Sequence, residues 1–249
     1  MLIDMDRRGS VAVITMNRPE RRNAFNAAMT QALDAALNSF EDDDSLRAAV
    51  LTGGRDFFSA GTDLVEWAGE PTERGGPYGI AGRALPKPLV AAVEGVAAGG
   101  GFEIALSATL IVASETASFS LPEVKLGLIA ECGGIFRGPR ALPLNLAREM
   151  LLTGSPLSAA RAFDLGMVNR LAPQGAVLEE AIRLAEEIAE RAPVAVAETL
   201  HALEALFTEQ NQQGWELTQA AKTVARASAD AGEGVAAFRE RRAPQWRGH

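Results

Sequence analysis

The chain has 249 residues, 47% hydrophobic and 22% charged, and its 24 basic and 32 acidic side chains give a net charge of −8. That length can bury a sizeable core in one large domain, or one domain with a small appendage, while the acidic balance argues against nucleic acid as the main partner, because phosphate binding needs a concentrated basic face. The single cysteine, Cys132, excludes an intrachain disulfide, and His201 and His249 lie far from it without ligand spacing, which argues against a metal site.

No apolar run approaches the ~20 residues that span a bilayer, and the N-terminal MLIDMDRRGS has no signal-peptide apolar core. The expectation is a soluble, cytoplasmic protein with neither a membrane nor a nucleic-acid partner.

Val11–Met16 (VAVITM) reads as a strand, broken at Arg18-Pro19. A helix is predicted from Asn26, which can cap it, with Met29, Leu33, Ala36, Leu37 and Phe40 at helical spacing and the acidic run at 41–44 ending it. Further strands are predicted at Ala48–Leu51, Leu89–Val93 and Thr109–Ala113, and a short one at Met167–Asn169. The stretch Gly69–Gly82, with two prolines among its glycines, reads as mobile. Helices are predicted over Ser158–Leu165, Val177–Arg191, Val194–Phe207, Gln213–Ala229 and Gly234–Arg241. Strands alternating with helices imply parallel pairing and an α/β architecture. Residues 191–249 form a helical region beyond what a core of residues 1–190 needs, and read as an association element.

Three loops concentrate the chemistry. In FFSAGTDL, Gly61 relaxes the backbone and the Thr62 N–H is free for a ligand if a helix begins there. In GVAAGGGFE, three glycines before a helix allow close approach, and the Gly100 N–H stands at that helix's positive end. Two such donors aimed at one point make an oxyanion hole. The third, SLPEVKLGLIAECGG, places Glu123 and Glu131 eight residues apart. Glu103 falls inside an otherwise apolar helix, where a carboxylate is costly unless it is paired or used. Taken singly, each feature also has a plain reading: a packing turn at the glycines, an arginine partner for Glu103, a helix start at Glu123 and a surface carboxylate at Glu131.

Together, FSAGTDL, GVAAGGGFE and FSLPEVKLGL resemble the enoyl-CoA hydratase/isomerase, or crotonase, superfamily. The resemblance begins at NRPERRNAFN and continues through LTGSPLSAARAFDLGMVNRL, so it runs essentially the length of the chain. The C-terminal RRAPQWRGH is similar to the end of carnitinyl-CoA dehydratase-like members. The resemblance implies a spiral of ββα units with a C-terminal helical trimerisation region, a homotrimer or dimer of trimers, and an acyl-CoA thioester substrate. No separate cofactor is implied, coenzyme A being part of the substrate.

It further implies that the Thr62 and Gly100 N–H groups hold the thioester oxygen and that Glu103 and Glu123 are the water-activating base and the proton donor. Ala60, Gly61, Asp63, Leu64 and Gly99 would line the substrate, with Arg21 and Arg22 at the nucleotide end. Typical hydratases carry a small residue at the place of Glu131. An acid there suits a double-bond isomerase using Glu123 and Glu131, or a hydrogen bond to a polar acyl group; otherwise it turns away and pairs with Arg137 or Arg140. The expected activity is reversible hydration of a 2-enoyl-CoA, with isomerisation, carnitinyl-CoA dehydration or non-catalytic acyl-CoA binding as alternatives. A plain loop thiol is expected at Cys132, with no histidine near it in sequence to activate it.

Overall fold

The computed structural model describes all residues, Met1–His249. Ile3–Arg8 forms β1 and Val11–Met16 forms β2, an antiparallel hairpin that opens a six-stranded sheet. Asn26 accepts the Met29 N–H at 3.0 Å and caps α1, Ala27–Asp42, whose Met29, Leu33, Leu37 and Phe40 are fully buried. β3 (Ala48–Thr52), β4 (Leu89–Val93), β6 (Leu110–Ser114) and β9 (Arg170–Ala172) extend the sheet in parallel, in the order β1-β2-β3-β4-β6-β9.

The parallel strands are covered on both faces, as their near-continuous apolar sequences require. Along β2, Ala12, Ile14 and Met16 enter the larger core with α1, while Val11 and Val13 turn to a second core. Val177, Ala181, Ile182 and Ala185 of α6 (Val177–Ala189) fill that second core. The architecture is the expected mixed α/β.

The chain leaves this sheet after each of two parallel strands to form a second layer: β5 (Val96–Ala98) and β7 (Ser118–Ser120) pair in parallel, and β8 (Leu157–Ser158) joins β7 antiparallel. Between β5 and β6 lies α2, Gly100–Ala105, with all six residues buried. A 3-10 turn, Glu123–Leu126, follows β7, then α3 (Gly134–Ala141), α4 (Leu144–Thr153) and α5 (Ala159–Asp164). The C-terminal helices are α7 (Pro193–Ala205), α8 (Thr208–Ala227) and α9 (Ala229–Glu240); α8 packs on α3, and α9 on the 3-10 turn.

Two expectations need correction. Met167–Asn169 is a turn, and the strand begins at Arg170, where the backbone meets Val112 on β6. The Gly69–Gly82 segment is packed and not loose. Thr72 and Gly76 exchange two backbone hydrogen bonds at 3.0 Å, and Tyr78, Gly79, Ile80 and Ala81 are buried. Arg83, with its side chain 2% exposed, locks the segment to α1 through Asp34 at 2.6 Å. Glu41 lies 2.8 Å from the same guanidinium, close but out of line for a hydrogen bond.

Candidate active site

A cavity of about 810 Å³ runs between the second layer, the 60–71 loop and helices α8 and α9. That is the size of a small-molecule site. Ala60, Thr62, Asp63, Leu64, Gly99, Gly100, Glu103, Glu123, Glu131 and Arg22, the residues singled out from sequence, all line it. Gly61 stands just behind the wall. At φ +84° its bare Cα lets two segments close on each other, since a Cβ there would fall 2.7 Å from Ala98 O and 2.8 Å from the Gly100 nitrogen.

That contact brings the Thr62 and Gly100 amides to adjacent points of one wall. Neither N–H donates to any group of the protein, which leaves both available to a ligand oxygen. No helix begins at Thr62, contrary to the condition attached to it from sequence. The residue instead makes a parallel bridge with Phe25, and its N–H is free because the neighbouring Asp63 N–H takes the Phe25 carbonyl. The Asp63 side chain is committed elsewhere: it pairs with buried Arg18 at 2.8 Å and accepts the Val65 and Glu66 N–H groups. These contacts hold its carboxyl below the usual range against the cost of burial.

Glu103 is 1% exposed on α2. Its Oε1 accepts the Cys132 N–H at 2.7 Å and the Gly134 N–H at 2.8 Å, both from the loop entering α3. Burial nonetheless pushes the carboxyl up to about 7, with those two donors opposing the rise and Glu131 adding to it. Glu123 follows the 3-10 turn's Pro122 and reaches toward Gly99, where a Cβ would stand 3.0 Å from Glu123 Oε1. Its Oε2 is buried and has no partner. Burial first, and then the Glu103 carboxylate, raise Glu123 to about 8. The two acids therefore share roughly one proton near neutrality. Backbone donors favour the ionised form at Glu103, and Glu123 is left neutral.

Glu131 lines the cavity but does not pair with Arg137 or Arg140. Arg226 of α8 grips it through two nitrogens, Nε at 3.1 Å and Nη2 at 2.5 Å, and Lys222 Nζ lies 3.4 Å away. Arg137 instead donates to Ala81 O and Ser107 Oγ, and Arg140 bonds Asn211 and covers the Phe207 ring. Cys132 is buried, and burial pushes its thiol well above the ordinary value, so what it brings to the site is its backbone N–H.

Sequence reasoning did not single out Tyr78. The only tyrosine of the chain is 5% exposed, its hydroxyl lies 2.7 Å from Thr62 Oγ1, and it presses so closely on Gly100 that a Cβ there would fall 2.2 Å from the phenol oxygen. A left-handed backbone (φ +57°) aims it inward. That unusual φ has no signature in a non-glycine residue's identity. Also unread were Trp215, Thr218 and Lys222, which α8 brings to the cavity from more than eighty residues beyond Glu131.

Residues 6–249 match the family model described as enoyl-CoA hydratase/isomerase. The chain is 41% identical to a carnitinyl-CoA dehydratase of Salmonella typhi over 257 residues, covering 99% of this chain and 98% of that protein. Among solved structures it is similar to a carnitinyl-CoA hydratase from Mycobacterium avium, with a TM-score of 0.93 at 39% identity, over 100% of this chain and 99% of the other. An enoyl-CoA hydratase from Mycobacterium tuberculosis H37Rv matches over the same shares with a TM-score of 0.78 at 41% identity.

Proposed function

This chain belongs to the enoyl-CoA hydratase/isomerase family, and from that membership and the paired carboxyls of its cavity we propose that it catalyses reversible syn addition of water to a 2-enoyl-CoA thioester. The observation that carries the reading is the unequal treatment of two neighbouring buried acids. Glu103 receives two N–H donors, whereas Glu123 Oε2 receives none.

In hydration, the Thr62 and Gly100 N–H groups take the thioester oxygen and stabilise the enolate charge that develops on it. Removing one such donor typically costs about 2.7–4 kcal/mol. The Glu103 carboxylate accepts a proton from water as the water oxygen bonds to Cβ. Glu123, neutral at the start, gives its proton to Cα, and dehydration of a 3-hydroxyacyl-CoA reverses each transfer. Ala60 and Thr62–Leu64, which line the cavity, would run along the pantetheine through backbone atoms, and Arg21 and Arg22 on the same wall would meet the nucleotide phosphates. Coenzyme A enters as part of the substrate, with no separate cofactor.

An isomerase using Glu123 and Glu131 fits less well, because Arg226 engages both oxygens of Glu131. A non-catalytic acyl-CoA binder would have no use for an unpartnered buried carboxyl such as Glu123, whose burial is costly. Turnover in H₂¹⁸O separates the readings: one ¹⁸O at Cβ is expected, and a shifted double bond without ¹⁸O would select the isomerase. Exposed Leu203 and Leu206 on and beside α7 and Val224 on α8 support assembly as a homotrimer or a dimer of trimers, which sedimentation would read directly.

A further inference from the structure

We infer that the α8 wall of the cavity is a subsite for an anionic acyl terminus, so that the substrate class is a 2-enoyl-CoA or 3-hydroxyacyl-CoA whose chain ends in a carboxylate. The inference rests on the acyl-CoA reading of the cavity and adds to it the chemistry of the tail.

Trp215, Thr218, Gln219, Lys222 and Arg226 all reach the cavity, and their spacing places them on one face of α8. For an alkyl chain this is a poor wall. Thr218 is 2% exposed, and its Oγ1 has no hydrogen-bond partner. Lys222, one turn further along, makes no hydrogen bond; its only ionic neighbour is Glu131 at 3.4 Å, whose two oxygens Arg226 already engages. Two cations thus share one carboxylate, and two donors one helical turn apart stand without acceptors. A tail carboxylate would accept from both the Thr218 hydroxyl and the Lys222 ammonium and balance the second cation. An alkyl tail would leave the buried Thr218 hydroxyl without an acceptor and Lys222 with only a shared carboxylate, which is unfavourable.

A quaternary ammonium tail, the kind carnitinyl esters carry, meets the opposite of what it needs. Such a group binds over aromatic faces. Here the Arg226 guanidinium lies over Trp67 at 5.7 Å, and Arg137 lies over Trp215 at 5.8 Å. The two tryptophans of the cavity wall already carry cations of the protein's own. The preference therefore runs against the tail chemistry in the names of the Salmonella and M. avium relatives.

The test is calorimetric binding of three saturated, unreactive esters to the intact protein: glutaryl-CoA, butyryl-CoA and γ-butyrobetainyl-CoA. Glutaryl-CoA is expected to bind at least tenfold more tightly than either of the others. In Lys222→Met and Thr218→Val, each checked for folding by circular dichroism, that ratio should fall toward one. Equal binding of all three, or tightest binding of γ-butyrobetainyl-CoA, overturns the tail assignment while leaving hydratase chemistry standing. Binding of none would overturn the acyl-CoA reading and the tail assignment together.

Discussion

The backbone N–H of Cys132 stands 2.7 Å from Glu103 Oε1, so the loop that carries the chain's only thiol serves to hold a carboxylate. With the Gly134 N–H it makes Glu103 the member of the buried pair that gives up its proton first. In the proposed hydration that asymmetry suits Glu103 to the base and Glu123 to the acid, and it has consequences for pH.

Hydration needs the pair singly protonated. With Glu103 raised to about 7 and Glu123 to about 8, kcat/KM for a 2-enoyl-CoA should be bell-shaped, rising as the pair loses its first proton and falling as it loses its second. The limbs belong to the pair, and Glu123→Gln should remove the alkaline limb from whatever activity remains. A profile flat from pH 6 to 9 would contradict the coupling.

The same burial has a stability signature. Glu123 is raised from 4.5 to about 8, so the folded protein holds a proton that the unfolded chain releases between those values. The contribution of this group to stability is therefore full below about pH 4.5 and is lost as the pH rises through about 8. Glu123→Gln, which cannot ionise, should melt with wild type near pH 5 and above it at pH 9, by at least roughly 2–4 °C, the equivalent of about 1 kcal/mol at this chain length. Scanning calorimetry at the two pH values reads the difference. A Glu123→Gln protein no more stable than wild type at pH 9 would mean that the acid is not held neutral.

Tyr78 fixes Thr62 from the side through hydroxyl contact at 2.7 Å. Tyr78→Phe keeps the ring against Phe25 and Gly100 but removes that contact. A loss of about 1 kcal/mol in positioning corresponds to roughly a fivefold lower kcat, with KM little changed. A change confined to KM would make Tyr78 a binding residue and not an orienting one.

Arg83 is the anchor of the segment that delivers Tyr78. Arg83→Met would leave Asp34 without its cation and Glu41 with Arg74 alone, and breaking a buried pair costs about 3–5 kcal/mol. The melting temperature should fall by roughly 10 °C, and proteolysis should cut first within 69–82. Unchanged stability would restore the mobile reading of this stretch.

Much of the frame was legible because local chemistry decides it. Asn26 has the side chain to cap α1 and does, and the apolar runs at 11–16 and 89–93 are strands to the residue. β1 was not legible, since as an edge strand it exposes Asp6, Arg7 and Arg8 and shows no apolar run. α3 was hidden by Gly138 and Pro139 in its own sequence. β9 lies three residues beyond the predicted strand because Met167 and Val168 fill the core from a bend, while the strand opens on a charged residue, Arg170, whose side chain pairs with Glu180 and Glu187 on α6.

The candidate site divides in the same way. Thr62, Gly100, Glu103 and Glu123 sit in short motifs whose neighbours constrain them. The Glu131–Arg226 pair spans 95 positions, and no local pattern announces it. α8 shows a mixed polar face because it lines a cavity and not a core, so periodicity marks the helix without revealing its role. The tertiary fold, not the motif, makes that wall.

The most direct test is the loss of conjugated-thioester absorbance when the purified protein meets crotonyl-CoA, run beside Glu103→Gln and Glu123→Gln. Loss is expected, with 3-hydroxybutyryl-CoA as product, slowed about 10²–10⁴-fold in each variant while butyryl-CoA binding persists. Wild-type rates in either variant, or no loss with the unaltered protein despite tight binding of crotonyl-CoA, would contradict the proposed hydration.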